Sequence, residues 1–409
     1  MQILTGYIDG LEGQLTPVTA TRNGSGTFHL HGLVAGAARE ARVRARSALI
    51  ECGHTFAPCV VRVGEDYQDT LQGTGFDLAL AVAVHHAETP EAAPAEDAPT
   101  LLLAELGLDG SLRGVRGAFA ICEAAVEAGV QRAICAPHNQ REAAASGIQA
   151  YPARNLSQVL AHLDPRDEYT MQPYGGPVES TRKPDRLLWG DLPDELAVHV
   201  SEGAAEALER GVPLLLVGSP GSGKTMAARR IPALMGSLSE AEQRDLTRIY
   251  SGAGLLGDDG LYPYARPFRA PHHTISELGL IGGGSPSPRP GEFTLAHHGV
   301  LYLAELPEFR RTVLEAAIRA HRDGEAQIYR TRKLYRFPGK PLLVGATNPC
   351  PCGFKGSSLR RCQCSTDSVE HYRKRLEPFR ALDPVVIDIN DAWMARRREQ
   401  LLAKYRPSL

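Results

Sequence analysis

Apolar residues recur along this chain in two rhythms, short unbroken runs and a spacing of three to four. VVRVGED (60–66), TLLLAELGLDGSL (100–112), PLLLVG (213–218), GVLYL (299–303) and KPLLVGATN (340–348) are the β-branched or leucine runs of buried strands. FDLALAVAVHHA (76–87), GAFAICEAAVEAG (117–129), DELAVHVSEGAAEALERG (194–211), TMAARRIPALMG (225–236) and PEFRRTVLEAAIRAHRDG (307–324) carry helical spacing instead. Strands that alternate with helices predict an α/β chain, with a parallel sheet in its second half and ligand chemistry at the carboxyl ends of the strands. ETPEAAPAEDAP (88–99) is a loop by composition. A Pro-, Gly- and charge-rich stretch at 166–185 reads as a linker between a domain at 1–165 and another at 186–392. An Arg-rich helix is expected within 393–409.

The chain has 409 residues, 43% of them hydrophobic, which is enough for two or three ordinary globular domains. It holds no apolar run of membrane-spanning length and its first residues lack a secretory pattern, so a cytoplasmic protein without a membrane partner is expected. The net charge of −2 hides a split. Residues 1–182 hold 13 Lys+Arg against 21 Asp+Glu, and residues 183–409 hold 32 against 26. A polyanionic partner is therefore expected to meet the second half.

Gly218-Ser219-Pro220-Gly221-Ser222-Gly223-Lys224-Thr225 matches G-x-x-x-x-G-K-[ST] between a predicted strand and a predicted helix. Such a loop wraps main-chain N–H groups around phosphates, its lysine neutralises the outer phosphates, and its hydroxyl reaches magnesium. ATP or GTP with Mg²⁺ is the ligand this predicts, with Met226 completing the segment. Glu305 stands where a hydrolase orients its attacking water, and Asn348 is placed on the next strand to help. Ala304, however, occupies the position where an aspartate would steady magnesium. Catalytic roles therefore fall to Glu305, Asn348 and Lys224, with turnover expected to suffer more than binding.

Cys350, Cys352, Cys362 and Cys364 form C-x-C-x9-C-x-C, a set able to enclose one structural, tetrahedral Zn²⁺ in a small insertion at 349–365. Cys52, His54 and Cys59 read as ordinary buried groups. His272-His273 and His297-His298 are read as strand neighbours pointing to opposite faces, so neither pair is expected to clasp a metal. AQIYRTRKLYRFPGK (326–340) interleaves aromatic and basic residues. Arg330, Arg332, Lys333 and Arg336 make it either a DNA-contacting hairpin, with Tyr329, Tyr335 and Phe337 stacking or packing, or a solvated edge hairpin.

GSPGSGKTMAARRIPAL, RPFRAPHHT (266–274), RPGEFTLAHHGVLYLAELPEF (289–309) and ATNPCPCGF (346–354) together resemble the magnesium-chelatase-like AAA+ proteins, specifically the ComM (YifB) family. The resemblance implies an ATP-dependent ring, homo- or hetero-oligomeric, and a DNA helicase of the kind that drives branch migration on single-stranded or branched DNA during natural transformation. It strengthens the zinc reading of the cysteines. It also implies that 1–165 is a Lon-protease-like α/β domain ahead of a P-loop AAA+ parallel-sheet domain. No lysine occurs before Lys183, so that first domain cannot form a Ser–Lys dyad. The family's finger arginine has no counterpart in register, Arg380 being the nearest, and the helical lid is expected to be missing. The competing readings are an ATP-binding regulatory or assembly subunit that does not power its ring, and a magnesium-chelatase motor subunit. The cysteine cluster and the N-terminal domain argue against the last.

Overall fold

A two-residue turn joins the strands Ile3–Asp9 and Glu12–Arg22, which pair antiparallel from Asp9↔Glu12 to Ile3↔Val18. Gly10 takes φ 70° at the first turn position, a left-handed conformation that glycine adopts without steric cost. In this computed structural model the described residues are 3–23, 26–64, 71–93, 99–177, 194–256, 265–284, 287–330, 333–357 and 360–389. The chain divides into two compact units, Met1–Arg182 with Thr247–Tyr262, and Lys183–Leu246 with Pro263–Leu409.

In the first unit the hairpin lies within a seven-stranded mixed sheet. The order is His29–His31, Cys59–Val63, Glu12–Arg22, Ile3–Asp9, Thr100–Leu103, Arg132–Cys135, Gln149–Pro152. Alternation along Thr100–Leu103 serves two cores. Leu102 joins Val18, Val61 and the helix Asp77–Glu88, while Leu101 and Leu103 join Ala133 and the helix Ala118–Glu127. Every position from Asp77 to His86 is buried, which is why that helix lacks a polar stripe. The predicted strand 100–112 stops at Leu103. Beyond it Glu105–Leu106 pairs with Leu112–Arg113.

Two buried carboxylates knit this unit. Asp77 accepts from Arg44 Nε at 2.6 Å, Arg44 Nη2 at 3.2 Å and the Leu106 N–H at 3.3 Å. Burial pushes its pKa up to about 6, against the pull of the Arg44 guanidinium. Glu142 accepts from Ser251 Oγ at 2.6 Å, Asn139 Nδ2 at 3.1 Å and the Phe119 N–H at 3.2 Å.

The second unit is built on five parallel strands in the order Phe268–Arg269, Val300–Leu303, Leu342–Thr347, Leu214–Gly218, Val385–Ile389. The first strand in sequence, Leu214–Gly218, lies between the fourth and the fifth. The order of connection therefore reverses at its carboxyl end, where a crevice for ligands opens in sheets of this kind. The predicted helix 225–236 is broken into Lys224–Ala228 and Ile231–Leu234. Pro232, with no N–H to donate, fits only in the first turn of the second piece. The helix predicted from Pro307 begins at Arg311 and ends on Gly324, φ 69°. Glu325–Arg330 and Lys333–Pro338 then form an antiparallel hairpin. The stretch expected to carry an Arg-rich helix, 393–409, lies outside the described residues.

Candidate functional site

The loop after Leu214–Gly218 is shaped by its glycines. Gly221 and Gly223 take φ 77° and 90°, and a side chain on Gly218 would collide with Ser222 Oγ and the Ile389 carbonyl. Ser222 Oγ is buried without a hydrogen-bond partner, a polar atom turned inward on the loop. Lys224 opens the following helix and folds back over the loop. Its Nζ donates to the Gly218 carbonyl at 2.7 Å, the Ser219 carbonyl at 2.9 Å and Asn348 Oδ1 at 3.2 Å. Burial lowers its pKa to about 8, and the Glu305 carboxylate pulls the other way. Lys224 and Asn348, 124 residues apart in sequence, are thus in direct contact.

Glu305 follows the strand Val300–Leu303 with φ 53° and ψ 48°. A non-glycine residue held there costs about 1–3 kcal/mol, a strain that clusters at working sites. Its carboxylate is mostly exposed and lies 3.4 Å from His273 Nδ1, one of a pair expected from sequence to pack or hydrogen-bond near the nucleotide site, without Glu305 being named as its partner. Glu305, Glu308, Asn348, Asp367, His371 and Arg375 are among the residues lining one cleft of about 720 Å³. Arg375 was also overlooked, its only signal being nearness in sequence to the displaced finger position. Arg380 is exposed on the short helix Glu377–Arg380 and is not part of that lining.

Ala304 presents a methyl group and packs with Met226 against the apolar cluster that includes Tyr302. No carboxylate stands there. Thr225 Oγ1 instead lies 3.0 Å from Tyr302 Oη. Two of the long sequence blocks meet as well, for Arg269 holds Glu292 through paired hydrogen bonds of 2.6 and 2.7 Å.

The four cysteines converge. Cys350 Sγ is 3.4 Å from Cys352 Sγ and 3.7 Å from Cys362 Sγ, and all four sulfurs fall within 4.8 Å of one another. Main-chain N–H groups of Lys355 and Cys352 point at Cys350 and Cys364 sulfurs, as they do around bound metal thiolates. Backbone N–H groups of Gln363 and Phe354 hold the Cys352 thiol down to about 6. This donor set fits a closed tetrahedral ion. Pro220 of the Gly-rich loop packs on Gly353, where even a Cβ would clash.

The histidine pairs correct an expectation. His297 and His298 are not on a strand; they follow the short helix Glu292–Leu295, His298 has φ 56°, and their rings are 3.7 Å apart. Asp245 joins them within 4.8 Å. His297 Nδ1 accepts from the Lys340 N–H at 3.0 Å, so the neutral ring carries its proton on Nε2 and offers no lone pair to a metal. Burial keeps that ring neutral, with a pKa lowered to about 4. His298 is held between Asp245 and Glu242. Cys59 is a buried thiol pushed up to about 11, and the described residues do not bring it together with Cys52 and His54 as a ligand set.

In the hairpin, Arg330 pairs in register with Lys333 near the tip, and Tyr329 beside them is 75% exposed. Arg336 is tied to Glu325, and Phe337 is fully buried and cannot stack on a base. Arg332 lies outside the described residues.

An all-parallel sheet with a glycine-rich loop and lysine at its switch point defines the P-loop class, and the arrangement fits an AAA+ magnesium-chelatase-like fold. Residues 200–392 match the family described as Magnesium chelatase, subunit ChlI, and residues 18–139 match Subunit ChlI of Mg-chelatase. An uncharacterized protein of Mycobacterium tuberculosis is 35% identical over 375 residues, 90% of this chain and 72% of that protein. The uncharacterized protein YifB of Escherichia coli is 34% identical over 355 residues, 85% and 67% of the two chains. The competence protein ComM of Haemophilus influenzae is 33% identical over 371 residues, 87% and 70%. This chain belongs to the ComM/YifB family of magnesium-chelatase-like AAA+ proteins. Among the described residues no helix is long and apolar enough to cross a membrane.

Proposed function

We propose that this chain binds ATP at Gly218–Thr225, engages DNA as part of a ring, and hydrolyses ATP slowly or not at all unless a partner subunit completes the site. The observation that carries the reading is the meeting of Lys224, Asn348 and Glu305 around one loop, beside a position where alanine replaces the expected carboxylate. Residues 218–226 cradle the triphosphate, Lys224 neutralises it, and Thr225 faces the magnesium ion. Magnesium, when bound, screens the charge of the phosphates. Glu305 and Asn348 orient water, but Ala304 supplies no oxygen to the ion's water shell, so binding survives better than turnover. Cys350, Cys352, Cys362 and Cys364 hold a structural zinc ion that braces the loop through Gly353 and Pro220. The first unit, Lon-protease-like and without a lysine for a dyad, serves assembly or partner binding rather than proteolysis.

DNA engagement is what the family resemblance implies, and the exposed, basic Arg330 and Lys333 of the hairpin favour it. The loss at Ala304 favours a second reading, an ATP-binding subunit that joins a ring without driving it. Steady-state ATPase of the native chain and Ala304→Asp, each with and without single-stranded DNA, tests both. The expected result is a low native rate that rises in the aspartate variant. Ordinary turnover by the native chain, unchanged by the substitution, would refute the impaired-hydrolysis reading.

A further inference from the structure

Tyr302 lies on the strand Val300–Leu303, Ala304 is the first residue after it, and both side chains pack into the same apolar cluster. The tyrosine is 2% exposed and its hydroxyl lies 3.0 Å from Thr225 Oγ1. Phenylalanine would fill the same apolar space without a polar atom to satisfy, and a phenol buried here needs the partner it has found. The chemistry of Thr225 gives that contact a direction. A threonine that turns a lone pair toward a cation must aim its own proton at an acceptor. With alanine at 304, the Tyr302 hydroxyl is the oxygen in contact with Thr225 from this strand. Burial raises the Tyr302 pKa above the ordinary phenol range, so the hydroxyl is neutral: its oxygen is able to accept a hydrogen bond and adds no negative charge.

We propose that Tyr302 is a positioning residue of the nucleotide site, its hydroxyl accepting the Thr225 proton and thereby turning the threonine's lone pairs toward the magnesium that accompanies a triphosphate. The inference rests on the P-loop reading above. It divides the task of the absent aspartate, keeping the orientation and losing the charge. Magnesium should then still strengthen ATP binding, though less than it would beside a carboxylate.

Titration calorimetry with ATP, in excess magnesium and again in EDTA, tests this on the full chain. Tyr302→Phe should leave affinity in EDTA unchanged and cut the magnesium-dependent gain about 3- to 10-fold, the worth of one neutral hydrogen bond. In an Ala304→Asp background the same Tyr302→Phe change should cost nothing, because the carboxylate takes the proton; this second pair also separates orientation from packing. An equal magnesium gain in native and Phe proteins would overturn the proposal, as would a larger gain in Phe, the sign of a phenol competing with the ion. An undiminished loss in the aspartate background would do so too. Failure of the native chain to bind ATP in either buffer would instead remove the P-loop reading, and the inference with it.

Discussion

Lys224→Met keeps the aliphatic stem and removes the ammonium that reaches Gly218, Ser219 and Asn348 at 2.7, 2.9 and 3.2 Å. A unit charge about 4 Å from a phosphate oxygen is worth about 4 kcal/mol at an effective dielectric constant of 20. Nucleotide binding must displace some of the three existing hydrogen bonds, each worth about 0.5–1.5 kcal/mol. The net loss in the variant is then about 2–4 kcal/mol, or about 30- to 900-fold in ATP affinity. Calorimetry measures it directly, and pH supplies an independent check. Burial lowers the Lys224 pKa to about 8, so the native affinity should decline as pH rises through that value, while the methionine variant stays flat. Unfolding does not mimic this. The unfolded lysine titrates near 10.5, so between 8 and 10.5 the unfolded state binds more protons, and this group's contribution to stability rises with pH. An affinity loss under about threefold, or a native affinity flat from about pH 7 to about 9.5, would refute the reasoning.

Asp77→Ala should destabilise the first unit by about 1–3 kcal/mol in urea denaturation, because it leaves the half-buried Arg44 guanidinium to its 3.5 Å contact with the exposed Glu40. Metal analysis of the native protein should find zinc bound, and Cys362→Ser should lower both the zinc content and the melting temperature; ATP affinity should fall with them, since Gly353 packs on Pro220. Arg330→Ala with Lys333→Ala should weaken single-stranded DNA binding and flatten its log–log salt slope by about 1.4, read by fluorescence anisotropy. Arg336→Ala should change little, because that guanidinium is committed to Glu325; an equal loss there would mean that the hairpin tip is not the contact.

Three strands of the second unit, Leu214–Gly218, Val300–Leu303 and Leu342–Thr347, were legible from sequence because they are almost wholly buried and read as unbroken apolar runs, whereas Val385–Ile389, with Val386 and Asp388 exposed, and the two-residue Phe268–Arg269 were not picked out. The nucleotide loop was legible because only glycine, lysine and a hydroxyl satisfy its geometry. The opening of the first unit was harder. Glu12–Arg22 mixes polar residues with a proline, and the helix Ala35–Glu51 buries little besides Ala41, Ala45, Ala48 and Leu49, so the usual contrast of large apolar against polar residues is faint. Tyr302 was hidden for another reason. Its i, i+2 relation to Ala304 can be read off the chain, but the hydroxyl gains meaning only when folding sets Thr225 beside it, 77 residues away in sequence. The histidine pair misled because its two members were read as strand neighbours although they precede the predicted strand at 299–303; the observed strand begins at Val300.

The helix Glu240–Ala253 changes allegiance midway, its residues up to Leu246 belonging to one unit and those from Thr247 to the other. A fragment cut at Arg182 would therefore lack a piece of its own interior. Glu142 would lose the Ser251 hydroxyl, and Glu123 would lose Arg248, its partner at 2.9 Å. Expressed alone, such a truncation would be a damaged fold rather than an independent module, and dissecting this chain calls for grafting residues 247–262 back or for point changes in the intact protein.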